Sequence, residues 1–168
     1  MKVFLSIIFS IVVMLSFTAC GSSSNNTGGS NNGGTGTIGT GPFAPGEYGD
    51  IAITTDWNVP NGALFLDIRN DWERVQMRAA GSIGGAIYEY REPNNSERSL
   101  NSDFYANVLA LAGSEHREII LICNSGSRTA QAAQYLSDNG FTNIWDILGG
   151  TEHWAQVKPS ETIVNTPL

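Results

Sequence analysis

The segment Glu118 to Arg128, Glu-Ile-Ile-Leu-Ile-Cys-Asn-Ser-Gly-Ser-Arg, constrains this chain more than any other. The run Ile119–Ile122 has the length and β-branched content of a strand buried on both faces. Cys123 stands where that strand ends. Asn124, Ser125, Gly126 and Ser127 are small residues that let the backbone turn tightly, and Gly126 is free to take positive φ. From Arg128 the pattern Thr129-Ala130-Gln131-Ala132-Ala133-Gln134-Tyr135-Leu136 predicts a helix, with Gly140 beyond its end. Strand, turn and helix set one thiol beside a run of backbone N–H groups and a helix N-terminus. Such a nest binds anions and favours a thiolate over a thiol.

A cysteine at a strand end can simply be core, since free Cys is among the most buried residue types. A core cysteine, however, has no need of Asn-Ser-Gly-Ser-Arg after it. A phosphate-binding P-loop is excluded, because its Gly-Lys-Ser/Thr element is missing. Spacing then separates two thiol chemistries. Cysteine-dependent phosphatases carry Cys, five residues, then Arg; here Thr129 occupies that place, and Arg128 comes one position sooner. The shorter loop closes a tighter cradle, suited to the terminal sulfur of a persulfide more than to a tetrahedral phosphate. Arg128 has two readings. It is either a surface residue in the first helical turn, slightly opposed by the dipole, or a group that orients the loop or attracts an anionic sulfur donor. Its place beside the thiol favours the second.

The N-terminus predicts export. Lys2 gives a minimal positive start, and Val3 to Phe17 is apolar apart from Ser6, Ser10 and Ser16. Residues 1–19 read as a signal peptide with small Ala19 before the cleavage point. An uncleaved membrane anchor is the alternative, but Val3 to Ala19 is at the short limit of the ~20 residues a spanning helix needs. Phe17-Thr18-Ala19-Cys20 resembles a bacterial lipobox with Phe in place of the usual Leu. That resemblance implies lipid attachment at Cys20. Gly21 after the cysteine resembles lipoproteins of the outer membrane facing the periplasm. Gly21 to Gly41 is Gly, Ser, Asn and Thr with Ile38 as its one apolar residue, so no core can form from it. Residues 20–45 are expected to be a lipidated cysteine and flexible linker, whose low-complexity part has a reach of roughly 25 Å.

Residues 46–159 suffice for one small domain and not for two. Strands are expected at Ile51–Ile53, Ala63–Ile68, Ala86–Tyr88, Glu118–Ile122 and Asn143–Ile147. Helices are expected at Asp71–Met77, Ser102–Leu111, Arg128–Asp138 and, in short form, Thr151–Gln156. This alternation predicts an α/β domain with a mainly parallel, five-stranded sheet flanked by helices. Active sites in such sheets lie at the carboxyl ends of strands, where Cys123 sits. Glu89 to Asn101 reads as a long surface loop, and residues 160–168 as a loosely held tail.

Composition narrows the partners. With 9 Lys and Arg against 16 Asp and Glu, the formal charge is −7, which repels nucleic acid and anionic headgroups. The chain has two cysteines. If lipid consumes Cys20, Cys123 is the sole remaining thiol of an exported protein, and a thiol without a partner there points to chemistry. His116 reads as a solvated loop residue, and His153 lies beside the closing helix. Neither has the companions that a zinc site needs, so no metal is expected. Trp57, Trp145 and Trp154 read as core.

The motif Cys123-Asn124-Ser125-Gly126-Ser127-Arg128 resembles the active-site loop of the rhodanese family of sulfurtransferases. Leu64-Phe65-Leu66-Asp67-Ile68-Arg69 is similar to the family's apolar strand ending in Asp-x-Arg, and Trp72-Glu73 to the aromatic-Glu that follows it. Gly81-Ser82-Ile83-Gly84-Gly85-Ala86-Ile87 resembles the Gly-His-Ile-Pro-Gly-Ala segment, with Ser82 and Gly84 departing from it. Leu148-Gly149-Gly150 and Trp154 match the closing elements. The resemblance spans about Tyr48 to Val157. It implies a rhodanese-like domain in which Cys123 is the nucleophile and residues 124 to 128 hold the substrate sulfur. A donor such as thiosulfate gives a Cys123 persulfide, which passes its sulfur to a thiol or cyanide acceptor with no metal or organic cofactor. It also implies that Asp67 and Arg69 are a structural brace, and Arg69 and Glu73 have the spacing of an i,i+4 pair. A non-catalytic module that holds sulfur, senses redox state or binds a protein is the alternative.

Overall fold

The computed structural model describes residues 41–165; the expected export signal, Cys20 and most of the expected linker lie outside the described residues, as do residues 166–168. In chain order the elements are β1 (Gly49–Ile51), β2 (Leu64–Asp67), α1 (Asp71–Gln76), β3 (Met77–Ala79), β4 (Glu89–Arg91) and β5 (Arg98–Leu100). They continue with α2 (Phe104–Ala112), β6 (Ile119–Ile122), α3 (Ser127–Asp138), β7 (Ile144–Ile147), α4 (Gly150–Val157), a 3-10 turn (Pro159–Glu161) and β8 (Thr162–Val164). Among the described residues no helix is long and apolar enough to cross a membrane.

The apolar runs pair into a four-stranded sheet in the order β1-β7-β6-β2, with every pairing parallel. β6 lies between β7 and β2 with all four of its residues buried, which is why it reads as an unbroken apolar run. Alternate side chains feed two separate cores. Leu64, Leu66, Ile119, Leu121 and Ile144 pack with Phe104 and Val108 of α2 and with Ala132, Ala133 and Leu136 of α3. Phe65, Ile120, Ile122, Trp145 and Ile147 pack on the opposite side with Trp57, Ala79 of β3 and Trp154 of α4. The three tryptophans are core, as the sequence leads one to expect.

The sheet has four strands rather than five. The missing one is Ala86–Tyr88. That segment follows Gly84 and Gly85, the latter at φ +109°, and runs beside β2 without a continuous ladder. Ile83, before the two glycines, makes an isolated bridge with Leu66, and within the segment itself the Tyr88 N–H donates to the Ile68 carbonyl. β1 spans Gly49–Ile51 rather than Ile51–Ile53: Gly49 pairs with Trp145 of β7 and lies against its ring, where a Cβ would stand at 2.3 Å. Phe43, in the expected linker, is docked on the domain: its ring meets Trp145 edge-on at 4.8 Å.

Two short antiparallel pairs complete the structure. β3 pairs with β8, so residues 162–164 of the expected loose tail are held on the domain. β4 and β5 form a hairpin within the expected 89–101 loop. Asn70 ties that hairpin to the start of α1, donating to the Glu89 carbonyl at 3.0 Å and accepting from the Arg91 N–H at 3.2 Å.

Candidate active site

The thiol loop leaves β6 at Cys123 and enters α3 at Ser127. Gly126 adopts φ +94° as the residue before the helix, and a Cβ there would lie 3.2 Å from the Gly149 N. This position requires glycine. The Gly126 carbonyl accepts from the Ala130 N–H at 3.0 Å, the first bond of the helical ladder. The N–H groups of Ser127, Arg128 and Thr129 therefore have no ladder partner, as at every helix start. The Gly126 N–H donates to Cys123 Sγ at 3.2 Å. Cys123 is fully buried, beneath the half-buried Asn124 and Gly126 and the exposed Ser125 and Ser127.

Three elements clamp this loop. The first is α4, whose Thr151 N–H donates to the Cys123 carbonyl at 2.8 Å and whose Glu152 N–H donates to the Asn124 carbonyl at 3.0 Å. Gly150 makes the close approach possible: a Cβ there would stand 2.5 Å from the Cys123 carbonyl oxygen. Asn124 adds a side-chain bond to Glu152 Oε1 at 2.6 Å. The second is α1. Arg128 Nη1 and Nη2 donate to the two Glu73 oxygens at 2.8 and 2.6 Å, a bidentate pair between buried side chains. Burial alone would raise the Glu73 carboxyl, but Arg128 and Asn70 outweigh it and hold it down to about 2. Burial pulls the Arg128 guanidinium down, and the bond to Glu73 more than reverses this, with the Cys123 charge adding to the effect. The third is the hairpin, which reaches Glu73 through Asn70, whose Nδ2 also donates to the Glu73 carboxylate at 3.1 Å.

The structure therefore brings Cys123 and residues 124 to 128 together, with Arg128 as the strut that fixes the loop. Both of its terminal nitrogens are occupied by Glu73. Asp67 and Arg69 form a brace at the end of β2: Arg69 Nε and Nη2 donate to the Asp67 carboxylate at 2.9 and 2.8 Å, and Nη2 also donates to the Met77 carbonyl at 2.6 Å. Arg69 does not pair with Glu73. It precedes the cap Asn70, so helical i,i+4 spacing does not apply to it. His116 is exposed with Nδ1 3.0 Å from Thr142 Oγ1, and His153 is half-buried. Cys20 lies outside the described residues.

Sequence reasoning passed over two residues at this site. Thr129 is fully buried with Oγ1 3.6 Å from Cys123 Sγ, and Asp146 is a buried carboxyl on β7. Burial pushes Asp146 up to about 6, against the Thr129 hydroxyl, which lowers it, and with the Asp50 charge adding to the rise. A carboxylate in the middle of an otherwise apolar strand was the available signal for Asp146.

The chain resembles known proteins over much of its length. The family model for the rhodanese-like domain matches residues 55–157. Chloroplastic thiosulfate sulfurtransferase 16 of Arabidopsis thaliana is 36% identical over 95 residues, covering 56% of this chain and 76% of that protein. A thiosulfate sulfurtransferase of Pseudomonas entomophila is 35% identical over 101 residues, covering 60% and 78%. A tRNA uridine(34) hydroxylase of Nitrobacter winogradskyi is 32% identical over 111 residues, but the match covers only 40% of that protein. Among solved structures, an E. coli rhodanese with anions aligns at a TM-score of 0.42 and 18% identity, over 54% of this chain and 88% of that one.

Proposed function

Since the chain belongs to the rhodanese-like domain family, we propose that it is a sulfurtransferase in which Cys123 carries the sulfur. The observation that carries this reading is the thiol at the floor of a backbone cradle, with the Gly126 N–H already directed at Sγ. The Cys123 thiolate attacks the outer sulfur of a donor such as thiosulfate; the donor's S–S bond breaks, sulfite leaves with the electron pair, and Cys123 becomes a persulfide. A thiol or cyanide acceptor then takes the outer sulfur and the thiolate returns. The N–H groups at the start of α3 offset the negative charge of the persulfide in each half-reaction. Neither half-reaction requires a metal or organic cofactor.

The shape of the loop favours sulfur over phosphate. Four residues separate Cys123 from Arg128, and the Arg128 fork is filled by Glu73. A phosphoryl group would need a wider ring and a free guanidinium. The cellular setting belongs to the same proposal: export, lipid on Cys20 and attachment to the outer membrane, facing the periplasm. The complete burial of Cys123 favours a second reading, a non-catalytic module.

Thiocyanate formation from thiosulfate and cyanide decides between them. Wild type is expected to turn over and to release no phosphate from an aryl phosphate, while Cys123→Ser folds and is inactive. Turnover that persists in the folded Cys123→Ser protein would remove Cys123 from the mechanism. A folded wild type without turnover would favour the non-catalytic module.

A further inference from the structure

The side chains of the thiol loop leave an anionic donor without a free cation. The loop's one cation, Arg128, has both terminal nitrogens on Glu73. Asn124 is bonded to the Glu152 carboxylate at 2.6 Å, and Ser125 and Ser127 are uncharged. Two arginines of the β4–β5 hairpin offer what the loop lacks. Arg91 and Arg98 are register partners, so their side chains leave the same face of the hairpin. Like charges placed directly opposite destabilise a ladder. A single carboxylate lies between them: Glu89 Oε1 accepts from Arg91 Nε at 2.5 Å and stands 3.8 Å from Arg98 Nε. One positive charge is left over, and among the described residues the terminal Nη nitrogens of both arginines make no hydrogen bond. Glu92 and Glu97 of the turn pair with neither arginine, and Glu97 accepts from Asn95 Nδ2 at 3.2 Å. The arginine face is turned toward the loop. Glu89, two residues from Arg91 and on the same face, has a side chain only 14% exposed. Its carbonyl accepts from Asn70, which bonds Glu73 and through it Arg128. Against burial, and after Glu73 and Cys123, the Glu89 charge adds to the rise of the Arg128 guanidinium.

We propose that Arg91 and Arg98 form an anion subsite for the sulfur donor, taking the oxyanion end of a dianion such as thiosulfate. Glu89 keeps its contact through Nε, and the Nη nitrogens of the two forks donate to the oxygens of the anion. The subsite selects donors by charge: a dianion is favoured by the pair, whereas an uncharged persulfide is not. The pair holds the part of the donor that leaves as sulfite and not the sulfur that is transferred, so its loss raises KM more than it lowers kcat.

The proposal rests on the sulfurtransferase reading for the identity of the donor, but its test needs no turnover. Thiosulfate is titrated by calorimetry into the full chain carrying Cys123→Ser, which transfers no sulfur. Binding is expected, and it weakens as sodium chloride is raised. Arg91→Gln and Arg98→Gln, each added to that chain, are expected to weaken it about tenfold. Arg117→Gln removes the same charge beside the start of β6, at the far end of that strand from Cys123, and is expected to leave binding unchanged. No binding by the parent, undiminished affinity in either folded hairpin variant, or an equal loss in Arg117→Gln overturns the proposal. Arginine-dependent binding without thiocyanate formation by wild type would keep the anion site and remove the sulfurtransferase reading. Turnover by wild type with binding that ignores both arginines would do the reverse.

Discussion

Glu73 and Arg128 are 55 residues apart in sequence and in bidentate contact in space, and that one pair joins the helix after β2 to the thiol loop. Removing the arginine leaves a carboxylate buried with only Asn70 to support it. Arg128→Ala is therefore expected to lower unfolding free energy by about 3–5 kcal/mol. Arg128→Lys should recover part of that loss, because an ammonium is a point charge and cannot match both oxygens. Denaturant unfolding measures both, and an Arg128→Ala protein within about 1 kcal/mol of wild type would show that the pair is dispensable. Another residue-scale match lies at Gly84, where the family resemblance leads one to expect proline. The Arg74 guanidinium fills the space beside it: a Cβ on Gly84 would stand 1.8 Å from Nη1. Arg74 and Gly84 thus fit each other, and the departure from the family pattern has a local cause.

The strand-loop-helix at the site was legible in the sequence because β-branched residues and a turn of small residues are strong local signals. Ile119–Ile122 is β6 as expected, and α3 begins at Ser127, one residue before the predicted start. The partner of Arg128 was not legible, since a contact 55 residues away leaves no trace in local spacing. The β3–β8 and β4–β5 pairs were missed for another reason. Each strand is three residues long and partly or fully exposed, too short to show an alternation. The approach of α4 to the loop was half legible: Gly149-Gly150 marks a close contact without saying to what. Gly150 sits at φ +58° against the Cys123 carbonyl. Gly150→Ala is expected to cost about 1–3 kcal/mol through backbone strain and displacement of the loop, and to lower thiocyanate formation at least as much as stability. Unfolding and turnover measured on the same variant test this, and unchanged turnover would mean that α4 does not set the loop.

Across the whole molecule, two carboxyls with opposite shifts shape the dependence of stability on pH. Glu73 is held down at about 2, so its contribution is full above the ordinary carboxylate range and is lost as pH falls through that range toward 2. Asp146 is raised to about 6, so the folded protein favours its neutral form; that contribution is full at low pH and is lost as pH rises through about 6. Together they place maximum stability on the acid side of neutrality, between the two transitions. Thermal unfolding from pH 3 to 8 is expected to show this maximum, and Asp146→Asn to flatten its alkaline side; an unchanged alkaline slope in the variant would contradict the assignment. Folding brings to the carboxyl end of the central strand β6 a thiol, a cradle of N–H groups and three clamps, and the proposed function turns on what that thiol does. The most direct measurement is the mass of the Cys123 peptide after exposure to thiosulfate without an acceptor. A peptide heavier by one sulfur atom is expected, which reverts to its original mass when cyanide is added. A folded protein whose Cys123 peptide keeps its mass throughout would contradict it.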